Sequence, residues 1–174
     1  MGCDIHAYVE VKKNGEWEYL VDDIFPADDY DKEYYHKDFT NDPFPNRNYG
    51  LFGFLADIRN YSCVEPLSLP KGMPEDASLF VKSENGGWGI DAHSHSWFTL
   101  AELLSAKYDE MIWDKRVTRE LRPGLFSGAC EANDGEGEHL TLREFLGSEY
   151  FEVLDVLNKI GNPEDVRIIF WFDN

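Results

Sequence analysis

The chain is poor in positive charge: 16 lysines and arginines stand against 34 aspartates and glutamates, a formal net charge of −18. Duplex nucleic acid is therefore not an expected partner, since phosphate binding is driven by clustered Lys and Arg. The acid excess reads as a solvated surface rather than a carboxylate mimic of DNA, because net charge informs on solubility and association more than on fold. Long apolar runs are also missing. None approaches the ~18 residues of a spanning helix, and no basic start leads into an apolar stretch, so neither a membrane nor a secretion signal is expected. The three cysteines, Cys3, Cys63 and Cys130, are odd in number and widely spaced. They form neither a zinc pattern nor a disulfide framework, and point to a reducing cytoplasm. Met1-Gly2 is not a myristoylation signal, because His6 stands where Ser or Thr is required. Gly-x-Gly-x-x-Gly, P-loop and Gly-x-Ser-x-Gly patterns are absent, which removes the motif-based cases for dinucleotide binding, phosphate cradling and a serine nucleophile.

What is present specifies a packed core. Hydrophobic residues make up 43% of the chain and aromatics 15%, and 174 residues suit one domain burying about 70% of its extended-chain surface. Residues 3–11 alternate, with Cys3, Ile5, Ala7, Val9 and Val11 on one face and Asp4, His6, Tyr8 and Glu10 on the other. That period reads as a strand with one face in the core. Asn14-Gly15 then predicts a tight hairpin into Trp17–Val21. Residues 166–172 are apolar almost throughout, as suits a central strand. Placing these strands side by side joins the chain's two ends and brings Asp4, His6 and Asp173 together.

Between the strands, residues 22–46 form an acidic, aromatic, proline-punctuated loop, long enough to carry function. Its acids do not match a calcium-loop spacing. A helix is expected from Tyr49 to Asn60, with Gly50 and Gly53 permitting close approach. A short one is expected from Pro74. Capping boxes at Thr99/Glu102 and Thr141/Glu144 start two more, the last running to Lys159 before Gly161 and Pro163. Elements in this order do not alternate as βαβ units. The expected class is α+β: a single domain, residues 1–174, whose mainly antiparallel or mixed sheet has adjacent N- and C-terminal strands and helices packed on it.

Histidines carry the chemistry. His93 and His95 are two apart, as are Asp4 and His6, and on extended backbone each pair points one way. Two such dyads suit a divalent metal or general acid–base work on a phosphate ester. The competing reading is structural, with Ser94 and Ser96 supplying turn hydrogen bonds. No metal or cofactor is assigned; a divalent ion at Asp4, His6, His93 and His95 stays open. Arg47 and Arg59 flank the first expected helix. Twelve residues of helix put them about 18 Å apart, too far to clamp one phosphate, so one serves a ligand while the other braces an acidic loop. Tyr49 supplies a stacking ring.

Asp91-Ala-His93-Ser-His95-Ser96 resembles the first metal motif of the PHP phosphoesterases over six residues. That family needs further histidines and acids downstream, where only His139 remains here, and its activity is not carried over. The opening Met-Gly-Cys-Asp-Ile-His, the block from Arg47 to Asn60, the segment His93–Leu103 and the ending Phe-Trp-Phe-Asp-Asn together resemble a family of small tailed-phage proteins. This resemblance implies a phage or prophage origin, expression in a bacterial cytoplasm, and interference with host defence.

The leading expectation is a binder of a small nucleotide-like ligand, using Arg47 or Arg59, Tyr49, His93 and His95 and sequestering a host signal. One alternative is a phosphodiesterase built on Asp4, His6, His93 and His95. Another is an acidic protein-interaction module contacting partners through residues 22–46. A host protein as partner and the oligomeric state are left open by the pattern.

Overall fold

The structure, a computed structural model, describes residues 2–126 and 130–173. In chain order its principal elements are β1 (Ile5–Lys13), β2 (Glu16–Tyr19), α1 (Tyr49–Ala56), α2 (Leu79–Trp88), β3 (His93–Thr99), α3 (Leu100–Leu104), α4 (Leu142–Leu157) and β4 (Val166–Phe172). The class is α+β, and the chain forms two compact units: residues 1–47, 70–106 and 149–174 make one, and residues 48–69 and 107–148 the other. No helix of the described residues is long and apolar enough to cross a membrane.

The first unit is built on a four-stranded antiparallel sheet in the order β2-β1-β4-β3. The terminal strands are neighbours, as expected, with Ile5 opposite Phe172 and Val11 opposite Val166. All seven residues of β4 are buried, the consequence of a strand flanked on both edges and covered on both faces. β1 turns into β2 through Asn14 (φ 53°) and Gly15 (φ 89°), the positive-φ pair that a type I′ turn demands.

One face of this sheet holds Ile5, Ala7, Val9, Ile168, Phe170 and Phe172 in the core. On the other, Val81 of α2 and Ala77 just before the helix pack on Ile169 and Trp171, with Tyr8, Tyr19, Trp88 and Trp97 packed around them. Trp171 contributes area here, its ring stacked on Tyr8 at 4.9 Å, while its buried indole N–H has no partner among the described residues. The second face of β1 is thus not simply solvated. Glu10 is fully buried, where its carboxylate accepts from the Arg167 Nε at 2.8 Å and the Ser78 N–H at 2.7 Å. Arg167 also donates to Asp76 at 2.8 Å and lies 4.0 Å from the Trp17 ring. Burying this ion is tolerable only because its donors are nearly all engaged.

The helix expected at Pro74 begins instead at Leu79. Ser78 caps it, its Oγ accepting from the Val81 N–H. The helix continues through Gly86-Gly87, two residues of low helix propensity. At the Thr99 capping box the Thr Oγ1 accepts from the Glu102 N–H and the Glu102 carboxylate from the Thr99 N–H.

In the second unit Asn48 caps α1. The helix is apolar all round and buried from Gly50 to Ala56, as such a composition requires. Its last residue is Ala56, four before the expected Asn60, and Asp57 follows in a left-handed conformation (φ 59°). A Cβ on Gly53 would come within 2.7 Å of the Asn60 Oδ1, and one on Gly50 within 3.0 Å of the Phe145 ring, so the close approach expected of both glycines is present. The unit also contains an antiparallel ribbon, Met111–Asp114 against Glu138–Thr141. The Thr141/Glu144 box forms reciprocally. α4, expected to reach Lys159, ends at Leu157 and is broken at Gly147 (φ 77°, ψ 168°).

Candidate functional site

Where β1 meets β4 in the first unit, the chain ends converge. Asp173 accepts the Asp4 backbone N–H at Oδ1 (3.0 Å) and faces His6 Nε2 through Oδ2 (3.3 Å). The Asp173 N–H in turn donates to the Asp4 carbonyl at 3.2 Å. This closure follows from register: with Ile5 opposite Phe172, the next residue outward on each strand must meet. Asp4, His6 and Asp173 are therefore together as the strand pattern implied.

A cleft of about 320 Å³ opens beside them, with Asp4, His6, Asp42, Arg47, Trp88 and Asp173 supplying its polar and aromatic lining. Such a volume lies at the small end of ligand pockets. Arg47 grips Asp4 in a fork, Nε to Oδ1 at 2.8 Å and Nη2 to Oδ2 at 2.6 Å. The fork holds the Asp4 carboxyl below its usual range. Arg47 also lies against Gly2, where a Cβ would collide with its guanidinium. The ion pair is half-exposed, with side chains 47% and 48% accessible. Trp88, the last residue of α2, packs on the His6 imidazole with centroids 3.9 Å apart.

Asp42 completes the cleft. Its Oδ1 accepts the Phe44 N–H at 2.9 Å, the turn chemistry expected of an Asp just before Pro43. Burial pushes its carboxyl up to about 6, while the Phe44 N–H and His6 pull the other way.

The remaining expected residues fall elsewhere. His93 and His95 sit on β3 but do not keep the simple strand relation. Ser94 has a left-handed φ of 53°, and the β3–β4 register shifts between Phe170 and Phe172, the signature of a bulge. His95 accordingly lies near Trp171 (6.0 Å) and His93 near Phe172 (6.3 Å), successive residues whose side chains take opposite faces. His95 pairs with the Asn85 amide at 2.6 Å, and burial, with His93 adding, lowers its pKa. His93 bonds the Ser94 hydroxyl at 3.0 Å, the serine role weighed from sequence. Tyr49 and Arg59 belong to the second unit. Tyr49 packs edge-on with Phe52 and Tyr61, and Arg59, beyond the end of α1, is left-handed (φ 49°). Among the described residues no three of His, Cys, Asp and Glu are grouped to hold a metal ion.

Sequence reasoning missed Asp42 and Trp88. Asp-Pro in an otherwise irregular loop was a legible turn signal. Trp88 carried none, because the glycines before it masked the helix that delivers it. No family model, curated protein or solved structure matches the chain.

Proposed function

We propose that the cleft between Asp4, Asp42, Trp88 and Asp173 binds a small nucleotide-like ligand without turning it over. The observation that supports this is an aromatic wall, Trp88 on His6, set beside three carboxylates. An aromatic wall suits a flat heterocycle, and carboxylates accept from the ring N–H and amino donors of a base. Charge sets the orientation. Three aspartates outnumber Arg47 and His6, so a phosphate is repelled from the floor and turned toward the exposed Arg47 edge, where guanidinium recognition is strongest. The phage-family resemblance supplies a setting, sequestration of a host nucleotide signal.

A second reading rests on a specific observation. Asp42 near 6 beside the His6–Asp173 pair has the make-up of an acid–base couple for phosphodiester cleavage. One experiment separates the two. The protein is incubated with linear and cyclic mononucleotides, with and without divalent metal, then denatured, and the released molecules are identified by mass spectrometry. Intact nucleotide, retained by the wild type and lost in Trp88→Ala and Asp42→Ala, supports the binder. Products that disappear in His6→Ala support the enzyme. Neither retention nor products removes both.

A further inference from the structure

Residues 22–42 present a second surface, which shares only Asp42, at its end, with the cleft. The segment is anchored by buried Phe25, Ala27 and Thr40 and by a short ribbon pairing Phe25–Pro26 with Phe39–Thr40. Between the anchors, one wide helical turn, Asp31–Tyr35, buries none of its residues. The turn is well specified. Asp28 Oδ1 accepts the Asp31 N–H at 2.7 Å, and the backbone reverses at His36 in a left-handed conformation (φ 52°). On it Tyr30, Tyr34 and Tyr35 stand 56%, 62% and 61% exposed, with the Tyr30 ring 4.6 Å from Tyr34 and 5.8 Å from Tyr35. Phe39 is exposed beside them in sequence. Aromatic rings clustered on a fixed turn and left in water mark an interaction surface.

Charge selects the occupant. This segment carries eight carboxylates and only two lysines, Lys32 and Lys37. A second copy of a chain with net charge −18, a nucleic acid and an anionic membrane are all repelled. We infer that the tyrosine turn docks an arginine- or lysine-rich segment of another protein. Guanidinium and ammonium groups stack on tyrosine faces while the surrounding carboxylates steer and pair them.

The test uses a fluorescein-labelled octa-arginine peptide with octa-glutamate as control, titrated by anisotropy at physiological salt. Two triple variants are compared with the wild type: Tyr30→Ala/Tyr34→Ala/Tyr35→Ala, which keeps every charge, and Glu149→Gln/Glu152→Gln/Asp155→Asn, which removes three exposed carboxylates of α4. The tyrosine variant is expected to lose about tenfold in affinity and the α4 variant less than about twofold. Equal losses would reduce the binding to bulk electrostatics and overturn the proposal, as would no binding. Self-association in sedimentation that the tyrosine variant abolishes would reassign the surface to a second copy. Independent of any variant, the peptide should protect these three tyrosines of the wild type from nitration, mapped by mass spectrometry; unchanged nitration overturns the assignment.

Discussion

His6 and Asp173, 167 positions apart in sequence, face each other at 3.3 Å, and the same aspartate accepts the Asp4 backbone N–H at 3.0 Å. One side chain thus ties the start of β1 to the end of β4. Asp173→Ala leaves a partly buried N–H and an imidazole without this acceptor, an expected loss of about 1–3 kcal/mol. Asp173→Asn keeps one acceptor oxygen and loses less. Urea denaturation checks both, with the midpoint falling and the slope unchanged; an unaltered midpoint in Asp173→Ala refutes the tie.

Asp42 gives a pH dependence with a definite sign. Its carboxyl titrates near 6 in the folded protein against an ordinary 3.8. Between those values the folded state holds a proton that the unfolded state releases, so stability falls as pH rises from about 4 to about 6. The total is on the order of 3 kcal/mol. Asp42→Asn should flatten that window, whereas the opposite contribution of Asp4, held below its ordinary 3.8 by Arg47, is lost only as pH falls below about 4. Thermal melts of both proteins between pH 4 and pH 7 decide it.

Arg167 and Glu10 face each other across β4 and β1, with side chains 2% and 0% exposed. Removing either partner strands the other charge in the sheet. Arg167→Ala or Glu10→Ala is expected to cost about 3–5 kcal/mol, whereas Arg167→Met with Glu10→Leu costs less than the sum of the singles. A double-mutant cycle by chemical denaturation measures this; strict additivity would show that the pair is not coupled.

Gly53 in α1 leaves room for Asn60, whose amide donates to the Val64 carbonyl at 2.8 Å and whose oxygen accepts the Val64 N–H at 3.1 Å. Gly53→Ala pushes this side chain away. The better helix propensity of alanine, at most about 1 kcal/mol, is outweighed by the disturbance, a net loss of about 1–2 kcal/mol. Hydrogen exchange at the Val64 amide should rise with it; unchanged protection contradicts the argument.

The sheet was legible because its information is local. Alternation in β1, Asn14-Gly15 and an unbroken apolar β4 each act within a few residues, and strand adjacency followed from their character. The cleft was half legible for the same reason: Asp4, His6 and Asp173 sit on those strands. Its other half comes from tertiary placement. Trp88 reaches it only because α2 runs through two glycines, and Asp42 matters because it is partly buried, which a loop sequence does not announce. Glu10 sits on the face that alternation marks as polar, yet it is buried, because the cation that neutralises it lies across the sheet at Arg167. The expectation that His93 and His95 point one way failed at one torsion, the positive φ of Ser94, which no serine in a strand pattern advertises.

The pairing of β1 with β4 also orders events during synthesis. Ile5 waits for Phe172 and Val11 for Val166, so the central ladder cannot close until the whole intervening chain has been made. At roughly 5–20 residues per second that is on the order of ten seconds or more. Throughout it, β1 and β2 form only a hairpin, marginal by itself in water, with both edges open. The Asp4–His6–Asp173 corner therefore assembles only after β4 has been made, and its long-range closure makes the sheet a slow-folding element.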